Sequence, residues 1–187
     1  MDGLRIRQDS DMDQLFTVAW QYVVGIVRSE DLPMQAARLL AAGMDSPALR
    51  DLAGRGRREV TTELAALFRQ AVHELGGSMP DQETAERCLL HHLAGRLAAG
   101  VMTPGEVAAK VWQSLTAART DAEHAFLQAI GDDYYLDNTA DEQPEAFQAW
   151  EAELRSAARR LSGTTATELR ALRVKAEWDG RAAGHDR

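Results

Sequence analysis

The sequence predicts an all-α fold, a single-domain helical bundle of about eight helices followed by a basic C-terminal segment, and three observations carry that expectation. Apolar residues recur at three- and four-residue spacing along almost the whole chain. Helix-starting Ser, Thr or Asp beside Pro, and helix-stopping Gly, punctuate that pattern. Nowhere do Val, Ile, Thr and aromatic residues alternate as they would in a strand. With 187 residues, 45% of them hydrophobic, the chain can bury a core without a metal or disulfide staple.

The elements follow in order. Between residues 10 and 27, Leu15, Val18, Tyr22 and Ile26 mark one helix face and Phe16, Trp20, Val23 and Val27 another, so the first helix should be central. Asp31 and Pro33 open a second helix that stops at Gly43, and Ser46-Pro47 opens a short third that stops at Gly54. Val60, Leu64, Leu67, Phe68, Ala71 and Leu75 trace a long fourth, ended by Gly76-Gly77. A fifth carries Ala85, Leu89, Leu93 and Leu97 and stops at Gly100, and Thr103-Pro104 opens a sixth with Val107, Val111, Trp112 and Leu115. Ala122, Ala125, Phe126, Ala129 and Ile130 make a seventh before Gly131. Residues 132–142 have no period and are expected to form a loop, after which Phe147, Trp150, Leu154, Ala157 and Leu161 give the cleanest stripe in the chain. Ser162-Gly163 should end this eighth helix, leaving a bundle over 1–162 and a basic amphipathic tail over 163–187, either a ninth helix over Thr165 to Trp178 with a thin stripe of Leu169, Leu172 and Ala176 or a frayed or docking segment.

The charge pattern is uneven. The net charge is −8, and residues 120–151 hold nine acids and no Lys or Arg, whereas residues 152–187 hold eight bases and five acids. The acidic stretch is a local negative field suited to a basic partner. An acidic chain argues against non-specific nucleic-acid binding, which draws its affinity from counterions released by Lys and Arg. No run is long and apolar enough to cross a bilayer, no secretory signal opens the chain, and Cys88 has no second cysteine to pair with. A cytoplasmic protein is expected.

Three constellations could carry chemistry. His91 and His92 stand three and four residues after Cys88, a spacing that puts all three on one helix flank as metal ligands require. Tetrahedral zinc asks for four ligands, or three and a water, and the chain has no second Cys. Asp121 and His124 form a further i, i+3 pair without a matching partner. A metal-dependent enzyme at Cys88, His91 and His92 is thus one alternative. The second constellation is the helix-turn-helix-like run over 36–58, where Arg55, Arg57 and Arg58 could touch phosphate. The third is the acidic loop, in which Asp132, Asp133, Tyr134, Tyr135 and Asp137 combine steering carboxylates with two large rings of the kind that dominate protein interfaces. Asp133, Asp137 and Asp141 lie four apart, which does not fit a calcium loop.

Three resemblances attach to these residues. Residues 36–43 followed by Ser46-Pro47-Ala48-Leu49 are similar to the first half of the DNA-binding region of tetracycline-repressor-type regulators, but Gly54-Arg55-Gly56 stands where that family has its recognition helix. Tyr134-Tyr135 among Asp132, Asp133, Asp141 and Glu142, with Trp150 beyond, resembles the nuclease-colicin immunity proteins, although Leu136 replaces their following Pro. That resemblance implies that Asp132, Tyr134 and Tyr135 contact a partner. More broadly, the run from Gly43 to Gly54 and the Leu-Phe helix after it look like uncharacterised small all-helical bacterial proteins, which implies a fold and no activity. No phosphate-cradling glycine loop or nucleophile elbow occurs, so no cofactor is implied and the balance leans against an enzyme. The leading expectation is a protein-binding accessory protein, immunity-like or antitoxin-like, with a basic partner. A DNA-binding regulator and the metal-dependent enzyme are the alternatives, and a homodimer stays open.

Overall fold

A computed structural model describes residues 2–56, 59–114, 117–131 and 139–184, with side chains described for all of these except 2–10, 114, 139–140 and 178–184. Among the described residues the fold is all-helical: α1 Asp2–Val23, a 3-10 turn Ser29–Asp31, α2 Leu32–Ala41, α3 Pro47–Gly54, α4 Thr61–Glu74, α5 Gln82–Ala98, α6 Pro104–Ser114, α7 Asp121–Ile130, a single turn α8 Thr139–Glu142, and α9 Pro144–Gly184. The helix starts and stops follow the local chemistry. Ser46 caps α3 by accepting from the Leu49 N–H at 3.2 Å, with Pro47 in the first turn. α2 and α5 end in the same way, with Met44 N–H bonded to Leu39 O and Val101 N–H to Arg96 O. The residues that make this reversal, Gly43 and Gly100, sit at φ of +99° and +71°, where a side chain would be strained.

Two compact units emerge, one from Met1–Ala85 with Arg170–Arg187 and one from Glu86–Leu169. In the first, α2 packs on α3 and α4, and the buried cluster runs through Leu15, Leu32, Leu39, Leu49, Leu64 and Phe68. The Tyr22 and Phe68 rings meet edge to face at a centroid distance of 5.6 Å. In the second, Leu90, Leu93, Val107, Phe126, Ile130, Leu154 and Leu161 are buried, and the Trp150 indole N–H donates to Ile130 O at 3.3 Å. No described helix is long and apolar enough to cross a membrane.

Two expectations about element limits are corrected. α1 stops at Val23 rather than running to Val27, because the chain turns at Gly25, and this leaves Ile26 48% exposed while Val27 is buried. The expected break at Ser162-Gly163 is absent: α9 is continuous across it, so residues 163–184 extend the preceding helix instead of starting a new one. One helical glycine costs only about 1 kcal/mol relative to alanine. The buried Leu161, Leu172 and Ala176 on either side outweigh that cost.

Candidate functional site

The most concentrated polar chemistry in the second unit begins with an N-cap. Thr120 opens α7 with a capping box, its hydroxyl accepting from the Glu123 N–H at 3.2 Å while Glu123 Oε2 accepts from the Thr120 N–H at 2.9 Å. The box turns the Glu123 carboxylate inward, and the side chain is 0% exposed. Oε2 also accepts from the Arg119 N–H at 2.7 Å, and Arg87 Nε of α5 donates to Oε1 and Oε2 at 3.0 and 3.2 Å. The other Arg87 branch reaches Glu168 of α9 at 3.4 Å. His91, one turn along α5 and equally buried, places Nε2 3.0 Å from Glu123 Oε1 and Nδ1 3.0 Å from the Thr165 hydroxyl of α9. Three helices are thereby tied through one carboxylate.

Burial alone would push the Glu123 carboxyl up, but the two backbone N–H groups and the Arg87 guanidinium outweigh it and hold the pKa at about 2. Glu123 is an anion throughout the neutral range. Burial pushes His91 below its ordinary value, with Glu123 and Glu168 pulling the other way and Arg87 adding to the depression. Both groups are out of contact with solvent, and their polar atoms are engaged within the fold, so the arrangement orients helices and holds protons and is closed to a substrate. Thr120→Ala removes one half of the capping box and is expected to lower the unfolding free energy by about 1 kcal/mol, read as a shift in urea midpoint.

Of the sequence-derived candidates, Cys88, His91, His92 and Arg55 lie among the described residues. Cys88 is fully buried, and burial raises its thiol to about 12, with Arg87 opposing and Glu123 adding. His91 spends both nitrogens on Glu123 and Thr165, and His92 is half-buried. Among the described residues no group of three or more His, Cys, Asp or Glu is placed to hold a metal ion. Arg55 is paired with Asp51 at 3.1 Å and Glu59 at 3.0 Å, which cancels its field toward a phosphate. Arg57 and Arg58 lie outside the described residues, as do Asp132, Asp133, Tyr134, Tyr135 and Asp137. Asp121 and His124 are both exposed, one on each side of the inward-turned Glu123. The residues that sequence reasoning missed are Arg87, Glu123, Thr165 and Glu168. The Thr120-x-x-Glu123 spacing was the available signal for the second of these. In the first unit, a pocket of about 10 Å³ beside Leu15, Phe16 and Val72 has room for little more than a water, and its Arg173 is tied to Asp13 at 3.0 Å and Glu177 at 2.9 Å.

Comparison with known proteins finds no match: no family model, no curated protein and no solved structure is significantly similar to the chain.

Proposed function

We propose that the chain is a non-enzymatic accessory protein of the cytoplasm that binds a basic protein through the acidic segment between α7 and α9, an immunity-like or antitoxin-like role. The observation that carries this reading is the charge distribution: nine acids and no Lys or Arg over residues 120–151, with Asp141, Glu142 and Glu145 exposed in the described part. Exposed carboxylates so placed speed encounter with a cationic surface, the buried and paired Glu123 not being one of them, and Tyr134 and Tyr135, adjacent in sequence, supply the ring area that anchors interfaces. The helices that flank the segment are tied to each other by the Trp150 N–H bond to Ile130 O, and α7 is anchored at its other end by the Glu123 network. The closed polar cluster and the paired Arg55 give the enzyme and DNA-binding alternatives no comparable support.

Affinity capture from native lysate at low and moderate salt tests the proposal. The expected result is a stoichiometric basic protein whose retention falls with salt and is lost both in an Asp132/Tyr134/Tyr135 triple alanine variant and on reversal of Asp141, Glu142 and Glu145 to Lys. Each tyrosine alone is expected to contribute more than about 1 kcal/mol. Recovery of the chain by itself, or a partner indifferent to both variants, overturns it.

A further inference from the structure

The hydrogen-bond geometry around His91 fixes more than the position of the ring. Glu123 is ionised, so its Oε1 can only accept, and the bond of 3.0 Å to His91 therefore requires a proton on Nε2. A neutral His91 is thus the Nε2–H tautomer, with a bare Nδ1 facing the Thr165 hydroxyl at 3.0 Å. The same hydroxyl oxygen lies 3.2 Å from the Leu161 carbonyl, four residues back on α9. A hydroxyl has one hydrogen and cannot serve both acceptors at full strength. When a second proton reaches the ring it can go only to Nδ1, which then becomes a donor and forces the Thr165 oxygen to accept.

We propose that Thr165 is a two-position hydroxyl switch set by the proton count of His91: it donates to Nδ1 while the ring is neutral and to the Leu161 carbonyl once the ring is doubly protonated. Both positions are built. In the first, Leu161 O keeps the Thr164 hydroxyl at 2.9 Å, so no carbonyl is orphaned, and in the second the imidazolium has Glu123 beside it. The groups that act on the ring are Arg87 of its own helix, Glu123 from α7 and Glu168 from α9. The Cys88 thiol one turn back stays protonated and adds no charge. The consequence falls on α9. A Ser or Thr hydroxyl bonded to the carbonyl four residues back loosens and bends a helix, and Ser162 already makes such a bond to Ala158 O at 2.7 Å. Acid therefore adds a second bond of that kind within one turn. It couples a proton buried out of solvent to the backbone of the longest helix.

The test is nuclear magnetic resonance of the full chain, with histidine ring nitrogens and leucine carbonyls labelled, from pH 8 downward. The expected result is the Nε2–H pattern for His91 at pH 8, a midpoint below the ordinary histidine value, and a Leu161 carbonyl shift that follows the same midpoint. Thr165→Val should leave the ring titrating and abolish the carbonyl response, whereas Thr165→Ser, which keeps the hydroxyl, should preserve it. An Nδ1–H tautomer at pH 8, a ring that stays neutral until acid unfolding, or an unchanged Leu161 response in Thr165→Val overturns the proposal.

Discussion

Glu123→Gln is expected to lower the unfolding free energy at pH 7 by about 3 to 5 kcal/mol, the range found when one partner of a buried ion pair is removed. The amide matches the carboxylate in shape but replaces one acceptor oxygen by a donor. Four hydrogen bonds besides the one at His91 converge on the two oxygens, from Arg119 N, Thr120 N and twice from Arg87 Nε. Whichever oxygen is lost, an N–H then faces another N–H, and among the described residues the Arg87 charge keeps Glu168, at 3.4 Å, as its counterion. The pH dependence sharpens the expectation. The carboxyl titrates at about 2 in the folded chain against 4.5 ordinarily, so its stabilisation is complete above pH 4.5 and is lost as pH falls toward 2. That difference corresponds to about 3 kcal/mol. His91 acts in the same direction, because a ring whose folded value lies below 6.5 gives the unfolded chain more protons as pH drops below 6.5. Urea melts of both proteins at pH 7 and pH 3 provide the check. A loss below about 1 kcal/mol at pH 7, or a gap between the two proteins that does not narrow at pH 3, would contradict the account.

Most of the fold was legible because its signals are local. Ser46-Pro47, Gly43 and Gly100 act through backbone geometry within a few residues, and the structure uses each where the sequence places it. Apolar periodicity likewise names buried residues such as Leu64, Phe68, Leu154 and Leu161 without reference to partners. The failure at Gly163 has the opposite cause. A glycine breaks a helix only when neighbouring contacts do not favour continuing it, and those contacts, at Leu161, Leu172 and Ala176, come from tertiary packing.

The polar site was legible only in part for the same reason. Spacing along α5 marks His91, but the ring bonds to Glu123, 32 residues away, and to Thr165, 74 residues away, rather than to Cys88 or His92. The candidates on α7 legible by spacing are Asp121 and His124, which are exposed, whereas the polar contacts form on the buried face of Glu123. A carboxylate at the third helical position reads as a surface cap unless one knows that the capped turn is buried.

Phe68→Ala is the second large effect, expected at about 3 to 5 kcal/mol, and its contrast with Glu123→Gln separates two kinds of stabilisation. The ring is 1% exposed within the cluster of the first unit, so truncation forfeits both its transfer free energy and the contacts of the walls it leaves behind. Its edge-on contact with Tyr22 adds about 0.5 to 1.5 kcal/mol beyond area burial. Phe68→Leu refills much of the volume and should cost less than about 1.5 kcal/mol. Nothing that titrates is removed in either variant. The Phe68→Ala deficit should therefore be nearly the same at pH 7 and pH 3, where the Glu123→Gln deficit shrinks, and the same urea melts read both. A Phe68→Ala deficit below about 2 kcal/mol would mean that the first unit repacks around the missing ring. One that shrank in acid as the Glu123→Gln deficit does would mean that acid loosens the apolar packing as well, and the narrowing could no longer be assigned to the carboxylate.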